Sequence, residues 1–338
     1  MAAAALLWFL HSQLAARRFD WSLLTGGIAG LRWNWLAVSL IPIFGTYYGR
    51  ALRWAVFLKP MKPRPSIASL TSATVMGFTA ITLFGRPGEF VRPYLIAKKE
   101  QVPVSSQFAA WLLERIFDLL MALLVFAFAL ARVRSSELAA SPRLEWVLAT
   151  GGRFVSVACL AILAVLLGFR HLSGPLHARI SAGLRFFPEH RFQKLGQIVS
   201  TFVDGIAAAR SDGALFLIFV YSLAEWLLIA AAYWSLAQSF PATSKFTIVD
   251  VLIFLGFVSF GAAVQIPGIG GGMQVMAVLV LTELFGMRLE LATAFAFLLW
   301  FITFVAIVPV GLILALKEGL DWRSALAGAR RIGGEVAP

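Results

Sequence analysis

Charged side chains are scarce in this sequence. Only 14% of its 338 residues are Asp, Glu, Lys or Arg, whereas 60% are hydrophobic. An ordinary soluble domain has about 25% charged residues. A water-soluble fold could not remove that much apolar surface from water. The shortage of charge therefore excludes a soluble globular protein and indicates a chain that lies in a membrane.

Cysteine and histidine are almost missing as well. Cys159 is the only cysteine, which excludes a disulfide framework and a thiolate metal site. The four histidines are His11, His171, His177 and His190, and no two of them stand at the i, i+4 spacing of a helical metal site. We therefore expect no metal and no other cofactor.

Motifs of catalysis and nucleotide binding are also lacking. The apolar segments contain no His–acid pair, no G-x-S-x-G and no acidic metal cluster. No P-loop lysine follows the glycine-rich stretch near residue 270. These absences disfavour an enzyme, and they imply that any transport would be passive or ion-coupled.

Long hydrophobic runs dominate what is present. A helix needs about 20 apolar residues to cross roughly 30 Å of hydrocarbon, and in lipid the backbone must satisfy its own hydrogen bonds, so such runs are helices. The predicted fold class is all-α, a polytopic integral membrane protein. The six candidate spans, of which the first is short, lie near residues 2–16, 33–57, 104–131, 144–168, 213–237 and 289–316.

Two further apolar regions are interrupted by Gly and Pro. Residues 66–99 and 247–286 each break near the middle, which frees backbone groups and predicts re-entrant hairpins lined by protein or water. The order span, span, hairpin, span then occurs twice. We predict an inverted repeat with halves 1–131 and 132–338, because each half holds an odd number of crossings.

Basic residues predict the orientation. The net charge is +12, but Lys and Arg lie in short connections, a pattern typical of membrane topology rather than nucleic-acid binding. The polar segment 169–212 is either an amphipathic surface helix or a solvated connector. Both termini are expected in the cytoplasm, together with four basic groups: Arg50, Arg53, Lys59, Lys62 and Arg64; Lys98 and Lys99; Arg179, Arg185, Arg191, Lys194 and Arg210; and Lys317, Arg323, Arg330 and Arg331.

Charges also occur inside one predicted span. Glu114 stands ten residues after Val104, about 15 Å into the membrane. A charge there costs about 2.5–3.5 kcal/mol unless it meets protein or water. Glu114 and Asp118 share one helix face, and Arg115 lies a quarter-turn away. This group is the strongest functional signal in the sequence.

The first hairpin carries Arg86, Glu89 and Arg92, which could pair with that group. Two interpretations stay open. The charges either form an ion-pair network that only braces the hairpin, or the arginines line a polar cavity that admits a lipid headgroup, since their forked donors suit phosphate oxygens. Glu225 and Asp250 are the other acids in nearby apolar segments.

Two of these motifs resemble a known family. Gly85-Arg-Pro-Gly-Glu-Phe-Val-Arg92 and Glu114-Arg-Ile-Phe-Asp118 are similar to the flippase-like domain that forms the membrane region of lysylphosphatidylglycerol synthases and occurs alone in prokaryotes. A third stretch, Pro267-Gly-Ile-Gly-Gly-Gly-Met-Gln274, departs from the family pattern because Gln replaces an acid. The resulting candidate substrate-binding residues are Arg86, Gly88, Glu89, Arg92, Glu114, Arg115, Asp118, Gly268, Gly271 and Gln274.

The resemblance implies lipid translocation without lipid synthesis in a prokaryotic cell membrane. The expected substrate is a phospholipid or polyprenyl-phosphate-type lipid, and the expected partners are anionic or phosphate-bearing membrane lipids. A homo-oligomer or a lipid-synthesis enzyme is a further candidate partner. The alternatives are a membrane-embedded lipid-modifying enzyme and a non-transporting partner of one.

The inverted repeat predicts which side each connection occupies. In a Cys159→Ala background, cysteines introduced by Lys62→Cys and Arg185→Cys should be cytoplasmic, and one from Leu138→Cys should be external. An impermeant thiol reagent should label only the last in intact cells and all three in permeabilised cells. Labelling of position 62 or 185 from outside would refute the repeat.

Overall fold

The computed structural model of the chain describes residues 19–134, 157–158, 160–162, 164, 211–261, 265–266 and 270–320. Helices account for nearly all of this structure. Their bounds are α1 Trp21–Ala29, α2 Trp33–Leu58, α3 Ile67–Phe84, α4 Val91–Glu100, α5 Val104–Arg134, α6 Asp212–Ser239, α7 Ile248–Gly261, α8 Gly272–Glu283, α9 Leu289–Trp300 and α10 Val308–Lys317. Short 3-10 turns cover Arg86–Phe90 and Pro241–Thr243, and a π-helix covers Phe301–Val305.

The helical membrane fold predicted from the sequence is confirmed. Within the described ranges, four stretches are long and apolar enough to cross a bilayer, and α1 with α2 forms a fifth if that pair, bent by 79°, counts as one span. The four stretches are Ile67–Phe84, Val104–Val133, Asp212–Ser239 and Leu289–Lys317. The predicted span 2–16, most of 144–168 and nearly all of 169–212 lie outside the described residues. The six-span count, the inverted repeat and the orientation stay predictions.

The first predicted hairpin has a tightly closed break. Gly85 ends α3 with a φ of 69°, a conformation that favours glycine, and the chain then turns back so that α4 packs on α3. Gly77 lies against Arg92, and Gly88 lies against the backbone of Ala80. This close approach explains why small residues stand at both positions.

The second predicted hairpin closes in a similar way. The arms α7 and α8 pack together, and Gly261 lies against the carbonyl of Gly272. Between them, Gln265–Ile266 pairs antiparallel with Gly270–Gly271. Both hairpins therefore fold back on themselves. Whether they re-enter the bilayer from one side stays a prediction, since α3 alone is long enough to cross.

Helix α2 joins two hydrophobic cores. One core is built mainly from α6 to α9 and includes Ile43 and Tyr47 of α2. The other is built mainly from α2 to α5 and includes Ile218 of α6 and Ala315 of α10. Because α2 also packs along α6, it brings its polar side chains between the two groups of helices.

The close contact in the first hairpin predicts the effect of an added methyl group. In Gly77→Ala the new Cβ would lie 2.5 Å from the Arg92 Cβ, so the arms must separate at a cost of about 1–3 kcal/mol. Gly49 in α2 has no described atom within 4 Å of such a Cβ, so Gly49→Ala should keep wild-type stability. Thermal unfolding in detergent measures both, and equal melting temperatures would contradict the packing.

Candidate functional site

In the part of the chain that the structure describes, seven ionisable side chains from four helices form one connected network, the buried ion cluster. Its members contact one another through ion pairs no longer than 4.0 Å. They are Arg50 and Arg53 of α2, Arg92 of α4, Glu114, Arg115 and Asp118 of α5, and Glu225 of α6.

Arg53 lies at the centre of the cluster and has no exposed surface. One terminal nitrogen donates to Asp118 Oδ1 at 2.8 Å and to Ser222 Oγ at 2.8 Å. The other donates to Glu114 Oε1 at 2.6 Å and lies 3.3 Å from Glu225 Oε2. A single guanidinium thus connects α2, α5 and α6, as its planar fork of donors allows.

Arg92 and Glu114 form another buried ion pair, the deep pair. Glu114 has no exposed surface, and both terminal nitrogens of Arg92 donate to its two carboxylate oxygens. The Arg92 guanidinium also lies 4.3 Å from the centre of the Trp54 ring and 5.5 Å from that of Phe78, distances that suit cation–π attraction. This pair joins the first hairpin to α5.

A cavity of about 410 Å³ lies beside the cluster, between α2, α3 and α5 on one side and α6 to α8 with the π-helix on the other. Its charged wall comes from α2, α5 and the 3-10 turn Arg86–Phe90. Among the described residues, the charged ones that line it are Arg50, Arg86, Glu89, Arg115 and Asp118. The opposite wall is apolar or hydroxyl-bearing and includes Trp226, Tyr233, Ser259, Thr303 and Phe304.

Two arginines of the cluster line this cavity. Arg115 is 38% exposed and lies 3.1 Å from Asp118. Arg50 pairs with Glu225, and its guanidinium stands 4.7 Å from the centre of the Phe78 ring. The Nε of both arginines and one terminal nitrogen of Arg50 are buried without a hydrogen-bond acceptor among the described residues. Both arginines therefore keep unfilled hydrogen-bonding capacity at nitrogens that lie behind the cavity surface.

The structure brings most of the sequence-predicted residues to this region, in different roles. Arg86 and Glu89 pair at 3.3 Å on the cavity wall. Arg92 and Glu114 are buried behind the wall, so the predicted pairing of the hairpin with α5 occurs through Arg92. Gly88 serves the hairpin turn rather than the cavity.

Of the two described candidate residues in the glycine motif of the second hairpin, Gly271 and Gln274, neither lines the cavity. Gly268 is outside the described residues. Gly271 precedes α8 with a φ of 152°, and its N–H donates to Gln274 Oε1 at 2.6 Å. The neighbouring Met273 lines the cavity, whereas Gln274 does not. The described contact gives Gln274 a role in closing the start of α8.

Sequence reasoning missed three members of the cluster. The sequence pattern places Arg50 and Arg53 in a basic group after the second span, but this placement is wrong, because both lie within α2 and Arg53 is fully buried. Basic residues near the end of a span normally mark its boundary, so the sequence carried no clear signal of their burial. Glu225, an acid in the middle of the long apolar helix α6, was noted without a partner. An isolated intramembrane acid requires one.

Comparison with known proteins identifies the family. Residues 1–311 match the family described as lysylphosphatidylglycerol synthase TM region, and the chain belongs to it. No curated protein and no solved structure matches the chain. Family membership and the long apolar helices together establish a multi-pass membrane protein connected with lipid handling.

The geometry of the deep pair predicts unequal effects of its two members. Glu114→Gln leaves Arg92 without its carboxylate in an apolar interior and should cost about 3–5 kcal/mol of stability. Arg92→Met should cost less, because Glu114 keeps Arg53. The double variant should be more stable than Glu114→Gln alone.

Thermal unfolding in detergent provides the measurement for these variants. Arg288→Gln is the matched control, because Arg288 is an exposed arginine that pairs with Glu290 and its loss should change little. A double variant less stable than either single variant would show that the two side chains are not coupled as the structure has them.

Proposed function

We propose that this member of the lysylphosphatidylglycerol synthase TM-region family is a lipid translocator that moves a phosphate-bearing headgroup across the bilayer through the cavity beside the buried ion cluster. The acyl or prenyl tails remain in the surrounding lipid. The observation that carries the proposal is a cavity with arginines on one wall and apolar side chains on the other, in a family connected with membrane lipids.

The charged wall supports binding of a phosphate. Guanidinium groups donate paired hydrogen bonds to phosphate oxygens and stay ionised when partly buried. Arg115 is the most accessible cation of the cluster, and the other members hold its surroundings in place. A headgroup could thus replace water at Arg115 without disturbing the buried pairs.

The apolar wall supports passage of a lipid rather than a free ion. Side chains such as Trp226 and Phe304 line the cavity opposite the arginines, so one ligand must present both a polar and an apolar part. A lipid near its headgroup has this character, since its polar end and its chains meet at the glycerol or prenyl linkage. The expected transport is passive or ion-coupled.

The variant Arg115→Gln distinguishes a role of the cluster in lipid transport from a role in stabilising the helix packing. Asp118 keeps Arg53 at 2.8 Å in this variant, so the melting temperature should remain near that of the wild type. Translocation should fall about tenfold or more, because one charge-assisted contact to the phosphate is lost. The control Arg288→Gln should keep both properties.

The measurement uses purified protein in vesicles that contain fluorescent phospholipids, with outer-leaflet quenching to follow movement. If translocation falls only in variants whose melting temperature also falls, the cluster stabilises the helix packing and does not bind the headgroup. Chemical conversion of the lipid by the purified protein would indicate an enzyme instead. Wild-type protein that neither moves nor converts lipid would indicate a non-transporting partner of a lipid-modifying enzyme.

A further inference from the structure

We infer that the cavity selects a headgroup with one net negative charge, a phosphodiester whose remaining polar group is uncharged. This inference rests on the proposed function, because it names the substrate class of the same cavity. It is carried by the charge balance of the cluster, by the pairing of every carboxylate on the wall and by the size of the cavity.

Counted over the residues that the structure describes, the buried ion cluster has one excess positive charge. It contains four arginines, Arg50, Arg53, Arg92 and Arg115, against the three carboxylates of Glu114, Asp118 and Glu225. The neighbouring pair of Arg86 and Glu89 adds no net charge. Uncompensated charge is unfavourable in a low-dielectric interior. One monovalent anion at the accessible end of the cluster would compensate it.

The carboxylates on the wall are already paired. Asp118 lies 2.8 Å from Arg53 and 3.1 Å from Arg115, and Glu89 lies 3.3 Å from Arg86. Among the described residues of α6 to α8 and the π-helix, no charged side chain lines the cavity. An ammonium group on the headgroup would therefore meet no unpaired carboxylate, whereas a phosphate would meet Arg115 and Arg50, which with Arg53 and Arg92 outnumber the carboxylates of the cluster.

The cavity is also small. A volume of about 410 Å³ lies near the lower end of the range of roughly 300–1,000 Å³ for ligand pockets. It suits one compact headgroup rather than a lipid-linked oligosaccharide. A phosphomonoester would bring close to two negative charges and would exceed the single charge that the cluster offers. A monoanionic phosphodiester matches both size and charge.

Binding of short-chain lipids to the purified protein in detergent tests this selectivity. The probes are dihexanoyl phosphatidylglycerol, phosphatidylethanolamine, phosphatidylcholine, phosphatidic acid and the cationic lysylphosphatidylglycerol, at about pH 8, where a phosphomonoester is close to doubly charged. Phosphatidylglycerol should bind about tenfold more tightly than the others. Arg115→Gln should remove this preference, and Arg288→Gln should keep it.

A second variant tests the charge balance itself. Asp118→Asn raises the excess charge of the cluster from one to two, so it should shift the preference toward phosphatidic acid. Unchanged selectivity in a folded Asp118→Asn variant would overturn the inference. Tighter wild-type binding of an ethanolamine, choline or lysyl headgroup would also overturn it, as would equal binding of all five lipids.

Two further experiments complete the test. Competition with free anions distinguishes a lipid headgroup from free phosphate, and vesicle translocation distinguishes the selectivity from the transport function. Inorganic phosphate or glycerol 3-phosphate that competes as well as the lipid would show a free-anion site and overturn the lipid assignment. Vesicle translocation of every headgroup at one rate would leave the transport function standing but overturn the selectivity. Selective binding without any translocation would support the selectivity and refute transport.

Discussion

A network of seven ionisable side chains, most of them buried in an apolar helical bundle, is the constraint on which the rest of the described structure depends. Each of these charges is unfavourable in lipid unless an opposite charge meets it. Arg53 of α2 meets this requirement for α2, α5 and α6 together, because its two terminal nitrogens form ion pairs with carboxylates of α5 and α6. The helices must therefore cross where the charges meet, and the cavity forms beside that crossing.

The same network divides into a shielded part and an accessible part. Glu114, Arg53 and Glu225 are essentially unexposed, whereas Arg115 is 38% exposed at the cavity. The brace and the binding surface are thus different residues of one network. Neutral hydrogen bonds connect the opposite wall to α2 and α3. In the π-helix, the backbone carbonyl of Thr303 accepts from the Tyr47 hydroxyl, and that of Phe304 accepts from the Thr82 hydroxyl. Single π-helical turns inside α-helices occur frequently at functional sites.

Much of the fold was predictable because helical spans and glycine breaks follow from local sequence. The spans near 33–57 and 104–131 are helices in the structure, and Gly85 breaks the first hairpin as expected. The charges of α5 were predictable for a similar reason, since an acid in the middle of an apolar run stands out. Arg50 and Arg53 were not, because basic residues near the end of a span normally mark its cytoplasmic boundary. Only the packing of α2 along α6 shows that they lie inside.

Lipid retained by the purified protein is the most direct measure of whether the cavity arginines hold a headgroup. Native mass spectrometry of the protein from mild detergent would identify the bound lipid and its headgroup. A defined phosphodiester lipid that remains on the wild type and on Arg288→Gln but is lost from folded Arg115→Gln is the predicted result. Retention of the same lipids in the same amounts by folded Arg115→Gln would contradict it.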